Sequence, residues 1–324
     1  MRDATLKQMR SLAATIECGT IVGAAHRLHV TPPAVAQQLR LLERAVGLPL
    51  FDRLPDGLRP TDVGRELLTT IALIEAELQS CQRQIELVRG GNLGVVKFGA
   101  VSTAKYFAPQ VLAGFWAQHP TVEVKLFVGN RDETIRGLTA YDFDLVIMGR
   151  PPSGLDLETE VIGAHPHVII ASPRHHLAGR QRIPQAELSN ERFLGRELGS
   201  GTRLLADWLF TSAGIQPPVV MEIASNETIK QAVIADLGIA LISAHTVAAE
   251  LHDHRLVALN VDGVPIMRQW YVVRRRAMRL DPAAKAFWTF LTERAASFLP
   301  GTTDDHDTIH DTIHDSIHDS IHAG

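Results

Sequence analysis

Apolar residues recur at helical spacing near the start of the chain. In the segment 31–44, Val35, Leu39 and Leu42 follow one another at intervals of four and three, which places them on one face of a helix. Thr31 and Pro32 begin this helix, as a side-chain acceptor for free N–H groups and as a first residue that needs no donor. Small and apolar residues in the preceding segment allow another helix to pack closely against it. The pattern predicts two short helices joined by a tight break.

The opposite face of the second helix is polar. Pro33, Gln37, Arg40 and Arg44 lie there, and their amide and guanidinium groups can hydrogen-bond base edges in a major groove and pair with phosphates. A helix-turn-helix is therefore the leading interpretation. The alternative is a surface helical hairpin whose polar side chains are only solvated.

A short basic turn follows these helices. Arg53 and Arg59 flank the turn at 55–57, which looks like a wing reaching phosphate or the minor groove, although exposed arginines beside a turn can equally be solvated. Residues 1–60 hold eight Lys or Arg and five Asp or Glu, a charge of +3 within a chain of net charge −4. This modest excess does not by itself establish DNA binding.

A long helix is predicted from Asp62 to residue 90. Its apolar positions alternate in spacing between four and three, as in a coiled-coil seam. The seam could be covered by the protein's own second domain or by a second copy of the chain. The seam positions are Leu67, Ile71, Ile74, Leu78, Cys81, Ile85 and Val88.

The periodicity changes after Gly90, Gly91 and Gly94, which break the long helix. Short apolar runs then alternate with helical segments, which predicts an α/β domain with parallel, buried strands, and later runs imply a second unit of the same kind. The predicted strands are 95–101, 122–128, 145–148, 168–171, 219–223, 238–242 and 267–273, and the predicted helices are 105–118, 132–140 and 282–298.

Three segments at predicted strand-to-helix junctions carry groups suited to an anion. Their hydroxyls, cations and free backbone N–H groups favour a phosphorylated or carboxylated small molecule. Each residue has a simpler alternative as a helix cap, a turn residue or half of a surface ion pair. The candidates are Ser102, Thr103 and Lys105, then Asn130 and Arg131, then Arg196, Glu197, Ser200, Gly201, Thr202 and Arg203.

The composition describes a soluble protein. With 324 residues, of which 45% are hydrophobic and 21% charged, we expect two domains. No apolar signal region and no run long enough to span a membrane occur in the sequence, so we expect a cytoplasmic protein without membrane association. Cys18 and Cys81 lack zinc-site spacing and are expected to be small buried apolar residues.

Fifteen histidines raise the question of a metal. The pairs 165/167, 175/176 and 252/254 do not reproduce H-E-x-x-H or a comparable ligand set, so neither a metal site nor a cofactor is predicted. His165 is expected to matter as a hinge or cleft residue. The tail 300–324 repeats D-T-I-H and D-S-I-H and is expected to be disordered. A helical tail would instead align its histidines as a weak Ni or Zn site.

The N-terminal motifs resemble those of LysR-type transcriptional regulators. The matching pieces are A-A-x-x-L at 24–28, T-P-P-A-V at 31–35, L-E-x-x-x-G-x-x-L-F-x-R at 42–53 and L-x-P-T-x-x-G at 58–64. The resemblance implies a winged helix-turn-helix, a linker helix that holds a homodimer on a promoter inverted repeat, and a two-lobed periplasmic-binding-protein-like effector domain that completes a tetramer. The candidate DNA contacts are Thr31, Pro32, Pro33, Gln37, Gln38, Arg40, Arg44, Arg53, Arg59 and Thr61.

Motifs further along resemble the subfamily that controls Calvin-cycle (RuBisCO) carbon-fixation operons. They are V-S-T-A-K-Y-F-A-P at 101–109, V-G-N-R at 128–131, I-M-G-R-P-P at 147–152, A-H-P-H-V-I-I-A at 164–171 and R-E-x-G-S-G-T-R at 196–203. This implies an activator that works with RNA polymerase and responds to a phosphorylated sugar such as ribulose 1,5-bisphosphate or to a nucleotide such as NADPH. Ala36 and Asp236 depart from the usual family residues, and the added charge of Asp236 could change the effector preference.

The expected organisation is therefore a DNA-binding domain at 1–61, a linker helix at 62–90, an effector domain at 91–299 and a tail. Lobe I comprises 91–164 and 268–299, lobe II comprises 165–267, and the chain crosses between them near 163–166 and 265–268. We expect a regulator and not an enzyme, because G-x-S-x-G and Walker sequences are missing. The alternatives are a LysR-type regulator of another metabolic operon, or a solute-binding protein or enzyme of similar two-lobed fold.

Overall fold

The computed structural model describes residues 1, 3–54, 57–88 and 94–301. The chain divides into two compact units, which we describe separately. Unit 1 comprises Met1–Ile85 with Thr139–Asp142 and Ala277–Arg279, and unit 2 comprises Glu86–Leu138, Phe143–Arg276 and Leu280–Gly324. The tip of the predicted wing, the glycines at 90 and 91, and the tail from residue 302 lie outside the described residues.

Unit 1 begins with three packed helices and a two-stranded antiparallel wing. A capping box between Thr5 and Gln8 starts the first helix. The predicted apolar face of the third helix is confirmed, since Val35, Leu39 and Leu42 are buried in the core of this unit. The elements are α1 (Leu6–Cys18), α2 (Ile21–Arg27), α3 (Pro32–Val46), β1 (Phe51–Leu54) and β2 (Gly57–Pro60).

Thr31 stands at the start of α3 as predicted, but the expected side-chain cap is wrong. Its hydroxyl makes no capping hydrogen bond. Pro32 and Pro33 remove the N–H groups of the first two helical positions, so fewer donors remain for a cap. The N–H of Ala34 donates instead to the Thr31 carbonyl at 3.0 Å.

The linker helix α4 (Asp62–Val88) has its predicted seam covered in part by its own unit. Leu67 and Ile71 are buried in the core with α1 and α3. Farther along, Leu78 and Ile85 are 41% and 48% exposed. Cys81 is also exposed, which contradicts its expected burial. None of the helices in the described part of the chain is long and apolar enough to cross a membrane.

Unit 2 is a mixed α/β structure around a seven-stranded sheet with strand order β10-β6-β11-β5-β3-β4, in which β9 also pairs with β6. Two further strands, β7 and β8, form a separate parallel pair. The strands are β3 (Val95–Val101), β4 (Glu123–Gly129), β5 (Leu145–Met148), β6 (Leu157–Ala171), β7 (Phe193–Arg196), β8 (Val219–Ile223), β9 (Ala240–Ser243), β10 (Val257–Ala258) and β11 (Ile266–Arg275). The helices are α5 (Ala108–Gln118), α6 (Arg131–Thr139), α7 (Gly201–Ala213), α8 (Asn226–Ile234), α9 (Ala248–His252) and α10 (Pro282–Arg294), with 3-10 turns at Ala104–Tyr106, Gln185–Asn190, Ala244–Thr246 and Ala295–Phe298.

The expectation of parallel strands holds only in part. β3 runs parallel to β4 and β5, but β6 and β11 pair antiparallel along nearly their whole lengths, from Ile266↔His167 to Arg275↔Leu157. The predicted strands 168–171 and 267–273 are segments of these two longer strands. Ile162 and Trp270 belong to the core around β3 and β5, whereas Ile169 and Ile266 belong to another core.

Two strands expected to be buried lie at sheet edges and are largely exposed. In β4, Leu126, Phe127 and Val128 are 38 to 40% exposed, and in β8 Val219 to Met221 are 44 to 50% exposed. Each strand has a pairing partner on only one side among the described residues. An edge strand can therefore keep an apolar sequence without a covered face.

Gly64 in the first turn of α4 is required by a close backbone approach. A Cβ at this position would collide with the carbonyl oxygen of Leu50, which is held by the N–H of Thr61 at 3.1 Å. The motif L-x-P-T-x-x-G thus allows the start of the linker helix to pack directly against the backbone that leads into the wing.

Gly64→Ala is expected to lower the free energy of unfolding by roughly 1–3 kcal/mol because the backbone must shift to admit the methyl group. This loss should exceed the helix-propensity gain of about 1 kcal/mol. Urea unfolding measures it, with Thr69→Ala at an exposed position of the same helix as the control. Equal stabilities of the two variants would contradict the packing argument.

Candidate DNA-binding face and ligand cleft

The exposed face of α3 carries the predicted DNA-reading side chains. Gln37, Arg40 and Arg44 are exposed, and Gln38 is half-buried. The helix start at Thr31, Pro32 and Pro33 is exposed as well. The buried opposite face fixes the rotation of the helix, so one amide and two guanidinium groups are presented along a single stripe.

The end of α3 is fixed by the rest of the motif. Gly47 ends the helix in the left-handed region at φ 83°. The Glu43 carboxylate accepts a hydrogen bond of 3.0 Å from the N–H of Leu50, whose side chain is fully buried. The helix end at Gly47 and the hydrogen bond of Glu43 account for the spacing L-E-x-x-x-G-x-x-L. Together they set the position of the wing relative to α3.

Two of the predicted residues are exposed on the wing, whereas a third, Thr61, forms hydrogen bonds inside unit 1. Arg53 and Arg59 are exposed on β1 and β2, where Arg53 pairs in register with Leu58 and Arg59 with Asp52. The Thr61 hydroxyl, predicted to contact DNA, donates to the Pro49 carbonyl at 2.9 Å and accepts from the Gly64 N–H at 3.0 Å. Its hydrogen bonds inside the unit give Thr61 a structural role.

In unit 2, four predicted residues lie together at the carboxyl ends of β3, β4 and β7. The buried Arg196 guanidinium donates to the Glu197 carboxylate through Nε at 2.7 Å and Nη2 at 3.0 Å, and to Ser102 Oγ at 3.4 Å. The Asn130 side-chain amide approaches Glu197 Oε1 at 3.5 Å. The charge of Arg196 is therefore neutralised by its neighbour, and the pair joins residues that follow β3, β4 and β7.

Asn226 belongs to the same network, although the sequence reasoning did not select it. Its side-chain oxygen accepts from Arg196 Nη1, and its Nδ2 donates to the Ser102 carbonyl at 3.4 Å. It is buried at the first position of α8, directly after β8. Its position after a predicted strand was the feature of the sequence that could have identified Asn226 as a site residue.

The first turn of α7 faces the start of α6 across the cleft. Ser200 and Thr202 are buried, and Gly201 lies against the Arg131 side chain, so that an added Cβ would be 3.4 Å from its Cδ. The N–H of Asp132 donates to the Gly199 carbonyl at 3.1 Å. Since the first turn of a helix leaves its N–H groups without intrahelical acceptors, this is where an anion would bind.

The cations of the cleft differ from the sequence expectation. Arg203 is paired with Asp207 at 2.9 Å and with Glu222 at 3.2 Å, which makes it a surface ion pair and not part of an anion nest. Burial lowers the pKa of Arg131, and the charge of Arg150, which the sequence reasoning also omitted, contributes in the same direction.

Two further predicted residues lie in the segment that follows β3. Lys105 places Nζ 5.0 Å from the centre of the Tyr106 ring. Thr103 is buried beside it. These positions leave Ser102 as the hydroxyl of this segment that reaches the Arg196 network.

His165 lies on β6 where the chain passes between the two cores. Its ring stacks on Trp270 of β11 with centroids 3.7 Å apart, and both ring nitrogens are buried without a partner among the described residues. Trp270 Nε1 donates to His245 Nδ1 at 3.0 Å. Burial lowers the pKa of His165 well below 6.5, and the imidazoles of His167 and His245 lower it further.

We expect this histidine cluster to make folding stability depend on pH. Burial lowers the pKa of His167 and of His245 to about 4. Below pH 6.5 the unfolded chain binds protons that the folded chain refuses, so the free energy of unfolding should fall between pH 6.5 and pH 4, by roughly 3 kcal/mol for each of these two histidines.

His167→Gln should reduce that pH dependence, as measured by urea unfolding at several pH values in this window. His252→Gln, at an exposed position, is the control. Acidic residues titrate equally in both variants, so only the difference in slope is informative. Identical slopes would show that His167 does not remain neutral in the folded protein.

Two family descriptions match the chain. Residues 6–65 match "Bacterial regulatory helix-turn-helix protein, lysR family", and residues 89–296 match "LysR substrate binding domain". The first covers α1 to the wing and the start of α4, and the second covers nearly all of unit 2.

Similar proteins extend the comparison over most of the chain. The HTH-type transcriptional regulator CbbR of Xanthobacter flavus is 48% identical over 298 residues, covering 91% of this chain and 90% of the relative. The RuBisCO operon transcriptional regulator of Allochromatium vinosum is 39% identical, covering 90% of this chain and 97% of the relative.

A solved structure resembles unit 2. The regulatory domain of CcmR from Synechocystis PCC6803, in complex with 2-PG, is 36% identical and covers 61% of this chain and 96% of that domain, with a TM-score of 0.60. The resemblance inferred from the short motifs is thereby confirmed, and the chain belongs to the LysR family of helix-turn-helix transcriptional regulators.

Proposed function

We propose that this chain activates carbon-fixation genes, binding promoter DNA through α3 and the wing and responding to a small anion in the cleft of unit 2. The observation that carries the proposal is the identity of 48% with CbbR over nearly the whole chain. The relative from Allochromatium vinosum is named for the RuBisCO operon. The relatives are regulators, which favours ligand binding without turnover.

Base reading is assigned to the α3 stripe. Gln37 and Arg40 lie one turn apart on an exposed face, which suits direct contact with base edges in the major groove. Arg44, another turn along, and the wing arginines Arg53 and Arg59 suit phosphate and minor-groove contacts. Two such heads on a dimer fit an inverted repeat.

Anion binding is assigned to the first turn of α7. The neutralised Arg196 positions Ser102 and Glu197, while Arg131 supplies positive charge beside Gly201. A phosphate or carboxylate fits N–H groups, buried hydroxyls and a nearby guanidinium. The 2-PG bound by the related CcmR domain supports this chemistry.

The anion acts as a switch through the hydrogen bonds that join the lobes. The Asn226 amide and the Asp132 N–H each cross the cleft. An anion that strengthens this closure shifts the population toward the closed form, to the extent of its preference for that form.

Assembly into a tetramer is proposed from the uncovered apolar surfaces. Leu78 and Ile85 continue the α4 seam beyond the core of unit 1 and suit a homodimer. The exposed apolar edges β4 and β8 suit a second contact between effector domains. RNA polymerase is the further partner expected of an activator.

An electrophoretic shift with the intergenic DNA upstream of the RuBisCO genes of the source organism tests the proposal as a whole. Specific retention, with a response to phosphorylated metabolites, supports it. Specific binding only at an unrelated catabolic promoter would assign the chain to another LysR-regulated operon.

Arg40→Ala should weaken operator binding by roughly 1–3 kcal/mol and relax specificity at the contacted base pair. Fluorescence anisotropy with labelled operator measures the change. Arg180→Ala, at an ion-paired exposed arginine of unit 2, is the control. Equal affinities would remove Arg40 from the reading face.

Thr202→Val should preserve the packing volume and weaken the anion response about tenfold or more, because a hydrogen bond to a charged group contributes about 1.5–3 kcal/mol. The response is the metabolite concentration that half-maximally changes the operator footprint, with 2-PG and ribulose 1,5-bisphosphate as probes. Thr211→Val, at an exposed position of the same helix, is the control. An unchanged response would move the anion away from α7.

A further inference from the structure

A second cluster of histidines lies apart from the network between the lobes. His175 and His176 follow β6, and Glu191 directly precedes the segment that enters β7. His175 Nε2 is 3.4 Å from Glu191 Oε2, and His176 Nε2 is 3.0 Å from Glu191 Oε1. The ligand atoms of all three residues lie within 4.8 Å of one another.

The Glu191 carboxylate is buried, with 11% of its side chain exposed. Both imidazoles place Nε2 within 3.4 Å of its carboxylate oxygens. A buried carboxylate needs a compensating partner, such as a charged group or a metal ion.

The spacing suits a transition-metal ion. Ligand atoms that each lie about 2.0–2.2 Å from a tetrahedral zinc are roughly 3.3–3.6 Å apart. The carboxylate-to-imidazole distances of 3.4 and 3.0 Å fall close to that separation. Two imidazoles and a carboxylate are ligands typical of zinc, with the fourth position left to water.

We propose that His175, His176 and Glu191 form a binding site for a divalent transition-metal ion of the zinc class on the second lobe. His176, whose side chain is 67% exposed, provides the entry side, and the buried Glu191 provides the negative charge. The site is independent of the anion-binding cleft. Its ligands are too far apart in sequence to form a recognisable motif.

The hydrogen bonds of His175 set one condition on binding. The N–H of Leu177 donates to His175 Nδ1 at 3.3 Å, which places the proton of the neutral ring on Nε2. Coordination through Nε2 therefore requires the proton to move to Nδ1 and breaks this long hydrogen bond. His176 and Glu191 are the primary ligands for that reason, and His175 completes the site.

The histidine-rich tail would itself bind metal and must be silenced in the test. The background is the full-length chain with alanine at His306, His310, His314, His318 and His322. Zinc retained after dialysis is counted by elemental analysis, and cobalt(II) added in its place reports tetrahedral coordination by its visible spectrum. One equivalent of zinc and an intense cobalt spectrum are expected.

Glu191→Gln and His176→Ala, each made in that background, should weaken zinc binding at least about tenfold. His252→Ala, at an exposed histidine elsewhere on the lobe, should leave it unchanged. His176 is exposed enough for its substitution to leave the fold intact, so a folding failure of Glu191→Gln would not decide the result. Absence of stoichiometric zinc, or equal binding by His176→Ala and His252→Ala, would overturn the site and leave a simple imidazole–carboxylate pair.

Discussion

The antiparallel pairing of β6 with β11 is the constraint on which unit 2 depends. The two strands remain in register from Ile266↔His167 to Arg275↔Leu157, with one irregularity between Trp270 and Tyr271. Each strand contributes residues to the core around β3 and β5 and to a second core that includes Ile169 and Ile266. The lobes are therefore built on one continuous ladder, and the stacked pair His165–Trp270 marks where it passes from one core to the other. Strand ends and helix starts from the two lobes meet because this ladder fixes their relative position.

Charge in the resulting cleft is controlled by pairing more than by the number of arginines. Arg196 is almost fully buried and would be costly without compensation, so Glu197 neutralises it and Ser102 and Asn226 complete its hydrogen bonds. The guanidinium acts as a fixed scaffold that joins elements of both lobes. In the proposed anion site, attraction for the ligand would then come from the first turn of α7 and from Arg131, whose side chain lies against Gly201.

The sequence pattern predicted the features that depend only on residues close together in the chain. The face of α3 followed from the spacing of Val35, Leu39 and Leu42, because a regular helix admits one solution. The exposure of β4 and the ion pairs of Arg203 could not be predicted, because they depend on which strand lies at a sheet edge and which acids the fold brings near. Glu191 could not be predicted as a site residue for the same reason, since its two imidazole partners lie in a different loop. Asn226 could have been predicted, because it follows a strand that the sequence pattern had located.

The linker helix sets a condition on how any signal reaches DNA. Leu67 and Ile71 of α4 are part of the core that holds α3, and Glu75 of α4 forms a bidentate pair with Arg10 of α1 at 2.7 and 3.0 Å. A close-packed core resists continuous deformation, so the recognition helix and the first half of α4 must move as one body. A change in α4 therefore alters the placement of the whole DNA-binding head and leaves the geometry of the reading face intact. In the dimer proposed above, regulation is accordingly expected to act on the spacing between the two heads, while the bases that each head reads stay the same.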